Sequence, residues 1–454
     1  MFPSSTKYTK SCKLKLLLIN PKNEYKSTYK NYSFIPPLSL GIIADLTPNH
    51  WDVEIFDENI KKTQIISEIQ ADLVGITTNT RNINHVYALS IEIKNKGIPV
   101  ILGGAHVSIF HEEALKFCDT VVIGEVETIW RDVIKDFESE CLKNIYVQKS
   151  FKINTHNPKY FAKSYVIDSI ETSRGCVNNC SFCGVHVPMY RPYERKSIDS
   201  VIAEIEASEN DLIMFVDNNF YANDDDYLYQ LFDRMIKIKN KKKWQSGVTT
   251  NFFRNKGLVE MAAKAGAVMF FVGFESDSTK SLKELNKKNL FSHDMDLFNN
   301  YKTIVELCHK NNILVSGNYM IGLENDTDET IQNRLHFFQM LKLDECACAI
   351  LTPLPNTAIY KKAQKENKLI KTNYPNDWSF YSYSNSIIKH SNLSNERIEE
   401  LMIIHNRKHK PNFLKILKIL FNSKSLKATK YYYFFCKYLG KYNNKIIDKC
   451  LDFI

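Results

Sequence analysis

The amino-acid sequence lacks the long apolar runs, the signal-like start and the paired cysteines of membrane or secreted proteins. None of its 454 residues lies in an uninterrupted apolar stretch of the roughly 18–20 residues that a membrane-spanning helix needs. Residues 1–7 contain no apolar run, so we expect no secretory signal and a cytoplasmic protein. The eleven cysteines are odd in number and scattered, which is not typical of a disulfide framework. With 44% apolar and 24% charged residues, the composition indicates an ordinary globular protein.

Most of the chain also lacks excess positive charge, although the net charge is +9. From His405 onward there are twelve Lys or Arg residues, and the only acidic residues are Asp448 and Asp452. The body of the protein is therefore close to neutral, and we do not expect it to bind nucleic acid. Residues 411–422 place a narrow polar stripe on a broadly apolar predicted helix, and residues 431–435 are aromatic. This C-terminal region either makes a peripheral membrane contact or, as we prefer, packs on the protein with its lysines reaching solvent.

Short apolar runs alternate with amphipathic segments over the first 140 residues. This alternation predicts an α/β domain with a doubly wound, Rossmann-like parallel sheet. We predict strands at 14–19, 53–56, 73–77, 100–102 and 120–123, and helices near 38–46, 62–70, 83–96 and 109–117. Ligands of such sheets bind beyond the carboxyl ends of the strands, where this chain has small or polar residues: Thr77, Thr78, Gly103, Gly104, Gly124 and Glu125. The alternative is that the glycines only form tight turns.

A second alternating series follows a polar stretch at 141–167, which we predict to be a linker. Strands are predicted at 168–173, 212–217, 246–250, 267–274, 313–320 and 346–352, and helices near 197–207, 226–239, 256–265, 296–311 and 327–341. Six β/α units favour a partial (β/α)6 barrel over a complete eight-unit barrel. The predicted domains are thus 12–140, the barrel at 168–355, and a helical, basic region at 356–454.

Three cysteines, Cys176, Cys180 and Cys183, are clustered directly after the first strand of this second series. Gly175 and Gly184 bracket them, and a tight loop would bring the three thiolates together. Three thiolates leave one iron of a cubane cluster open to a small-molecule ligand. The alternative is a zinc site completed by His186.

The Cys-x3-Cys-x2-Cys spacing, with the aromatic Phe182 before the third cysteine and six β/α units around it, resembles the signature of the radical S-adenosylmethionine (SAM) superfamily. The resemblance implies a [4Fe–4S] cluster held by Cys176, Cys180 and Cys183, with SAM bound at its free iron. It also implies a one-electron donor such as flavodoxin or ferredoxin, and a 5′-deoxyadenosyl radical formed from SAM.

The same resemblance assigns further residues to the SAM site. These are Phe182 and Gly184 in the cysteine loop, Glu275 at the end of the fourth barrel strand, and Gly322 and Leu323 after the fifth. Glu275 is alternatively an exposed strand-end carboxylate. The superfamily's Gly-Gly-Glu segment is replaced here by residues 217–220, Asp-Asn-Asn-Phe, so we carry no SAM contact over to that loop. Arg174 either supports charge near the cluster or forms an ordinary surface salt bridge.

The chain resembles the two-domain, cobalamin-dependent branch of the superfamily over roughly residues 12–360. In the first domain the matching segments are Asn20-Pro21, Pro36-Pro37-Leu38-Ser39-Leu40-Gly41, Gly103-Gly104-Ala105-His106 and Gly124-Glu125-Val126-Glu127. The resemblance implies that cobalamin contacts the following residues: Thr77, Thr78, Gly103, Gly104, His106, Gly124 and Glu125. An Asp-x-His-x-x-Gly motif, whose histidine ligates cobalt in other cobalamin proteins, is absent after the first strand. We therefore expect no histidine ligand to cobalt and interpret His106 as a loop contact to the corrin periphery.

The resemblance favours a C-methyltransferase that acts on an unactivated carbon through a 5′-deoxyadenosyl radical and methylcobalamin. The expected substrate is a small or lipid-like molecule. One alternative is a radical cyclase or rearrangement enzyme of the anaerobic tetrapyrrole-ring-forming type. Another, outside the enzymes, is a zinc-stabilised RNA- or membrane-binding protein. A methylthiotransferase is disfavoured because the first domain has no second cysteine trio.

Overall fold

The computed structural model describes residues 13–22, 35–60, 69–151, 153, 165, 167–186, 193–287 and 296–408. Two parallel sheets of six strands each organise this part of the chain. The first belongs to the N-terminal domain and the second to the barrel. The predicted α/β architecture is confirmed.

The first sheet has the strand order β2-β1-β3-β4-β5-β6, and all neighbouring strands are parallel. Its strands are β1 (Leu14–Asn20), β2 (Trp51–Asp57), β3 (Leu73–Thr78), β4 (Val100–Gly104), β5 (Thr120–Ile123) and β6 (Ile145–Val147). The helices of this domain are α1 (Leu38–Leu46), α2 (Ile83–Lys94), α3 (Ala105–Ile109), α4 (His111–Ala114) and α5 (Trp130–Glu138). The strand order reverses between β1 and β3, so the ligand crevice of this sheet is expected at their carboxyl ends.

The structure departs from the predicted N-terminal boundaries at two places. The linker predicted over 141–167 instead begins with β6, an edge strand in which only Tyr146 is buried between exposed Ile145 and Val147. A strand this short and this exposed leaves no apolar run in the sequence. The helix predicted near 109–117 is divided at Phe110, whose backbone is not helical, into α3 and α4. The helix predicted at 62–70 lies almost entirely outside the described residues.

The second sheet has the order β14-β13-β12-β11-β10-β7, again with parallel neighbours. Its strands are β7 (Asp168–Ile170), β10 (Leu212–Phe215), β11 (Lys243–Val248), β12 (Ala267–Glu275), β13 (Leu314–Ile321) and β14 (Glu345–Ile350). The predicted first strand, 168–173, ends early, and a small antiparallel pair follows, β8 (Ser173–Arg174) with β9 (Glu194–Arg195). β7 and β14 form the two edges, so the barrel is partial, as predicted.

Six helices lie between the barrel strands in the described region, and two of them, α9 and α10, both lie between β12 and β13. They are α6 (Ile198–Ala207), α7 (Asp225–Lys237), α8 (Lys256–Lys264), α9 (Thr279–Glu284), α10 (Leu297–Lys310) and α11 (Asp328–Met340). Each is preceded by a polar N-cap whose side chain accepts a backbone N–H. Their apolar faces cover a core around Trp244 and Phe270, both 0% exposed.

The C-terminal region contains α12 (Ala358–Lys365) and α13 (Asn395–Lys408), and the segment between them reaches back to the first domain. Trp378 is 0% exposed and donates its indole N–H to Glu113, which follows β4. Tyr374 stacks on Trp378 at 3.8 Å between ring centroids. The predicted tail helix at 411–422 and residues 431–435 lie outside the described residues. No helix of the described residues combines the length and apolarity needed to cross a membrane.

Candidate functional site

The three clustered cysteines lie on a loop at the carboxyl end of β7, the first strand of the barrel sheet. Gly175, buried and at φ 86°, begins the loop in a conformation that favours glycine. The backbone N–H of Cys183 donates to the carbonyl of Cys180 at 3.2 Å, and that of Asn178 donates to Cys176 Sγ at 3.4 Å. All three thiols are partly exposed within this turn. The sequence-predicted trio is therefore brought onto one compact loop.

The segment that replaces Gly-Gly-Glu, after β10, fixes this loop. Asp217 accepts hydrogen bonds from the backbone N–H of Thr172 and from the hydroxyls of Thr172 and Ser173, the last at 2.5 Å. Asn218 accepts the N–H of Gly175 at 3.0 Å. Burial raises the pKa of Asp217, and these donors oppose the shift. The departure from the superfamily pattern thus serves to anchor the start of the cysteine loop.

An ion pair lies beside the thiols. Glu275 ends β12 at φ 67°, and its carboxylate accepts a hydrogen bond from Lys287 Nζ at 2.8 Å. Both side chains are largely buried, at 12% and 8% exposure, so the alternative of an exposed strand-end carboxylate is wrong. Burial acts to lower the pKa of Lys287, but Glu275 and the thiols of Cys180 and Cys183 outweigh it and raise the pKa. Lys287 is therefore a fixed positive charge next to the loop.

Burial disfavours thiolates at this loop. It raises the pKa of Cys180 to about 11 and also raises that of Cys183. A bound iron centre reverses this, because a metal ion deprotonates a coordinating thiol outright. Among the described side chains, no three His, Cys, Asp or Glu residues surround a single metal-ion position. A cubane does not need such an arrangement, since each of its cysteines binds a different iron.

Most of the remaining residues predicted for SAM lie close to one another, near the start of α12. Phe182 packs against a small buried apolar cluster: Leu285, Met320, Leu323 and Leu351. Gly322, at φ 73°, and Leu323 line a cavity of about 370 Å³ that also reaches Ser181 of the cysteine loop. Gly184 faces Leu354, since a Cβ on it would lie 3.3 Å from that side chain. Glu275 lies apart from this cluster, beside the thiols.

A second cavity, of about 380 Å³, lies between the two domains at the carboxyl ends of β3, β4 and β5. Six of the seven residues predicted for cobalamin line it: Thr77, Thr78, Gly103, Gly104, Gly124 and Glu125. Leu38 of the Pro-Pro-Leu segment contributes from α1, and Ser173 and Arg174 contribute from the barrel. The hydroxyl of Thr78 is buried and has no hydrogen-bond partner in the described residues, so it is available to a ligand.

Two glycines keep this cavity open. At Gly104, φ is 113°, and a Cβ would clash with the carbonyl oxygen of Thr78 and lie 2.8 Å from its nitrogen. At Gly124, φ is 85°, and a Cβ would lie 2.9 Å from Gln148 Cβ. The space in front of the strands therefore depends on the absence of side chains at these positions. Together with the free hydroxyl of Thr78, this floor fits a large ligand that presents hydrogen-bonding groups at its periphery.

His106, the seventh predicted residue, does not line the cavity. α3 turns its ring into the protein, where it is 0% exposed and 5.2 Å from the ring of Trp378. Its Nδ1 lies 3.2 Å from the hydroxyl of Thr80, and its Nε2 lies 3.5 Å from Glu113. Burial lowers the pKa of His106 and outweighs Glu113, which acts to raise it. The neutral form of the ring is therefore favoured. The structure thus separates His106 from the other six residues.

Arg174 is buried rather than on the surface, so its interpretation as an ordinary surface salt bridge is wrong. Its guanidinium donates to Glu127 at 2.6 Å, to Glu125 at 3.2 Å and to Glu171 at 3.1 Å. Glu125 and Glu127 follow β5 of the first domain, whereas Glu171 follows β7 of the barrel. The network therefore crosses the boundary between the domains, at the wall of the second cavity.

Sequence reasoning missed Asn218 and Lys287 as parts of the site, and it gave Glu127, in the segment Gly124 to Glu127, no role of its own. Lys287 is 104 positions beyond Cys183 and lies next to another lysine, so nothing local distinguishes it. Glu127 is two residues beyond the predicted Glu125. Asn218 was visible only as a departure from the superfamily pattern.

Two family models match the chain on the two sides of this boundary. The B12 binding domain model matches residues 30–134, and the Radical SAM superfamily model matches residues 170–338. Two methyltransferases of Chlorobaculum tepidum match over most of their length. Bacteriochlorophyllide d C-12(1)-methyltransferase is 25% identical over 86% of this chain and 86% of its own. The C-8(2)-methyltransferase is 27% identical over 78% and 80%.

A ring-forming enzyme matches less extensively. The anaerobic magnesium-protoporphyrin IX monomethyl ester cyclase of Cereibacter sphaeroides is 21% identical over 72% of this chain and 58% of its own. Among solved structures, the radical SAM methyltransferase TsrM of Kitasatospora setae, with tryptophan and a SAM analogue bound, superposes with a TM-score of 0.62. It is 17% identical over 79% of this chain and 77% of that chain, and at this identity it supports the fold.

The two matched domains imply a [4Fe–4S] cluster, SAM and cobalamin as the cofactors of an enzyme. The cysteine loop and the interdomain cavity provide sites whose chemistry fits these groups. The chain therefore carries a B12 binding domain followed by a Radical SAM superfamily domain.

Proposed function

We propose that this enzyme is a C-methyltransferase that acts on an unactivated carbon. The observation that supports it is that Arg174, two residues before the first cysteine, also lines the interdomain cavity and contacts Glu125 and Glu127 there. The names and the coverage of the two Chlorobaculum methyltransferases point to the same reaction. When bound, the cofactors supply a hydrogen-abstracting radical from SAM and a methyl carrier in cobalamin.

In this proposal, Cys176, Cys180 and Cys183 each hold one iron of the cluster and leave the fourth iron to SAM. Lys287 offsets part of the negative charge that three thiolates bring to a half-buried loop. Glu275, fixed by Lys287, presents a carboxylate beside the loop as an acceptor for SAM hydroxyls. Phe182, Gly184, Gly322 and Leu323 form the apolar side of the SAM site and exclude water from it.

The first domain binds cobalamin in this proposal through the ends of β3, β4 and β5. Thr77, Thr78 and Glu125 provide hydrogen-bonding groups, and Gly103, Gly104 and Gly124 let the cofactor approach the backbone. Among the described residues that line the cavity, none is a histidine. In this proposal the chain binds cobalamin without a histidine ligand to cobalt.

We expect a substitution of His106 to change stability but not the cofactor's visible spectrum. In His106→Gln, the ring contacts with Trp378 and Phe110 are lost, which should cost on the order of 1–3 kcal/mol of unfolding free energy. The absorption spectrum of bound cobalamin should match that of the wild type, because the ring does not reach the cavity. A spectral change of the kind caused by loss of an axial nitrogen would contradict this assignment.

The proposal includes two partners. The substrate is a small or lipid-like molecule that enters at the carboxyl-end mouth of the barrel, where SAM lies. A flavodoxin or ferredoxin supplies the electron that reduces the cluster. Charge on the body of the chain is close to balanced, so nucleic acid is not among the proposed partners.

SAM labelled in its methyl group tests methyl transfer against ring formation. The cluster-loaded enzyme is incubated with cobalamin, dithionite and labelled SAM, first alone and then with fractions of a small-molecule extract. A methyltransferase transfers label to the cobalamin fraction even without substrate and forms S-adenosylhomocysteine. With substrate, it forms S-adenosylhomocysteine and 5′-deoxyadenosine in equal amounts, because one SAM molecule cannot serve as both methyl donor and radical source.

A cyclase needs only the radical. It would form 5′-deoxyadenosine with no label in cobalamin or product and no matching S-adenosylhomocysteine. That result would overturn methyl transfer and favour the reaction of the Cereibacter relative. The same incubation with Cys180→Ala is the control, and it should form no 5′-deoxyadenosine.

A further inference from the structure

Arg174 connects the two proposed cofactor sites through a single side chain. Its backbone lies two residues before Cys176, in β8, directly at the start of the cysteine loop. Its guanidinium lies at the wall of the interdomain cavity, with Glu125 and Glu127 of the first domain. A displacement of the loop after β5 therefore acts on the residue that begins the cysteine loop.

The contacts of Arg174 are short, and most of its network is shielded from water. The side chains of Arg174, Glu127 and Glu171 are 8%, 2% and 9% exposed. Removing one partner of a buried ion pair leaves an uncompensated charge, which is strongly unfavourable. The two domains are thus held in the relative position that keeps both pairs, Arg174–Glu127 and Arg174–Glu171, intact.

The barrel side of this network is also fixed. Glu171 accepts hydrogen bonds from Nε and Nη2 of Arg174, one edge of the guanidinium, and lies 3.8 Å from Lys196 Nζ. Thr172 and Ser173, the next two residues, donate to Asp217. Arg174 therefore has little freedom to move without moving Gly175 and the first cysteine. Because Arg174 is held in this way, a displacement of its partners at the cavity also displaces the start of the cysteine loop.

We propose that Arg174 is a positioning residue that couples cobalamin binding in the cavity to cluster binding at the cysteine loop. This inference rests on the proposed function, since it needs both cofactors at these sites. Coupling between two sites is reciprocal: if cluster loading strengthens cobalamin binding by some factor, cobalamin strengthens cluster binding by the same factor. Arg174 transmits the effect through Glu127 on one side and through Gly175 on the other.

The test measures hydroxocobalamin affinity by visible-spectrum titration of the full chain with and without a reconstituted cluster. In the wild type, the cluster should lower the Kd for cobalamin by about 5-fold or more, within the usual range of coupling between sites. In Arg174→Met, both forms should still bind cobalamin, but their Kd values should be equal. Arg174→Lys, which keeps the charge but loses the forked geometry, should give an intermediate ratio.

A second readout is the electron paramagnetic resonance spectrum of the reduced cluster. Cobalamin should change its g values in the wild type and leave them unchanged in Arg174→Met. The matched control is Tyr165→Phe, which breaks a different contact between the barrel side and the first domain, the 2.5 Å hydrogen bond to Asp57. This control should retain the full affinity ratio, because the hydrogen bond it removes joins Tyr165 to Asp57 of β2 and includes no member of the Arg174 network.

The outcomes separate this inference from the proposed function. A wild type that binds both cofactors with no affinity ratio, or an Arg174→Met variant with the wild-type ratio, overturns the coupling role. A wild type that binds no cluster or no cobalamin overturns the proposed function itself. If Arg174→Met does not fold, Glu127→Gln decides, because it removes the charge from the shorter of the two contacts on the first-domain side and should also reduce the ratio.

Discussion

Cys180→Ala should lose the cluster and all cleavage of SAM, the largest effect we expect from one substitution. The three cysteines share one turn, and in the proposed site each would hold one iron of the cluster through its thiolate. A loop with two thiolates cannot complete the coordination of three irons. Iron and sulfide content of anaerobically reconstituted protein, and 5′-deoxyadenosine formed with dithionite, measure the effect. Both should fall to background.

Cys141→Ala is the matched control for this prediction. Cys141 is exposed and lies in the first domain, far along the chain from the loop. Its removal should leave iron content and SAM cleavage at the wild-type level. Wild-type iron and activity in Cys180→Ala would show that this loop does not hold the cluster.

Gly104→Ala should weaken cobalamin binding by roughly 10- to 100-fold. The residue has a φ of 113°, and the strain of this conformation in an L-residue, about 1–3 kcal/mol, lowers folding stability. The loss of affinity comes instead from displacement of the binding site, at about tenfold for each 1.4 kcal/mol of binding free energy. A Cβ at this position also clashes with the backbone of Thr78, so the ends of β3 and β4 must separate where the cofactor contacts them. The dissociation constant for hydroxocobalamin measures the loss.

Gly97→Ala distinguishes local strain from damage to the cavity. Gly97 also has a positive φ, 77°, but a Cβ there meets nothing within 4 Å, and the residue lies outside the cavity. It should lower stability to a similar small extent and leave the affinity for cobalamin unchanged. Equal losses of affinity in both variants would mean that the ends of β3 and β4 do not form the cobalamin site.

Much of the fold could be predicted from the sequence because the strands are buried on both faces. β5 was predicted at its observed limits, since all four of its residues are buried and apolar or β-branched. β6 was not, since two of its three residues face solvent and give no apolar run. The helix starts could be predicted for a different reason. Ser197, Asn255 and Thr327 are polar N-cap residues, and they mark where α6, α8 and α11 begin.

The candidate site was predictable where a motif keeps its members close in sequence. The cysteine loop and the glycines at the strand ends are of this kind. Lys287 and the glutamate partners of Arg174 were not, because their roles depend on residues from distant segments that only the fold brings near. A motif also does not determine the direction of a side chain. His106 belongs to the Gly-Gly-Ala-His segment, but the orientation of α3 determines which way its ring points.

The segment between α12 and α13 follows the barrel in the sequence but packs in the core of the first domain. Trp378, Tyr381 and Ile387 belong to the same buried cluster as Val86 and Leu102 of the first domain. The two domains are therefore not exchangeable as blocks cut near residue 150. A recombinant that takes the N-terminal domain from one family member and the remainder from another would pair each domain core with a foreign Trp378 segment. Within such a lineage, residues 366–394 are expected to be inherited with the first domain rather than with the barrel they follow.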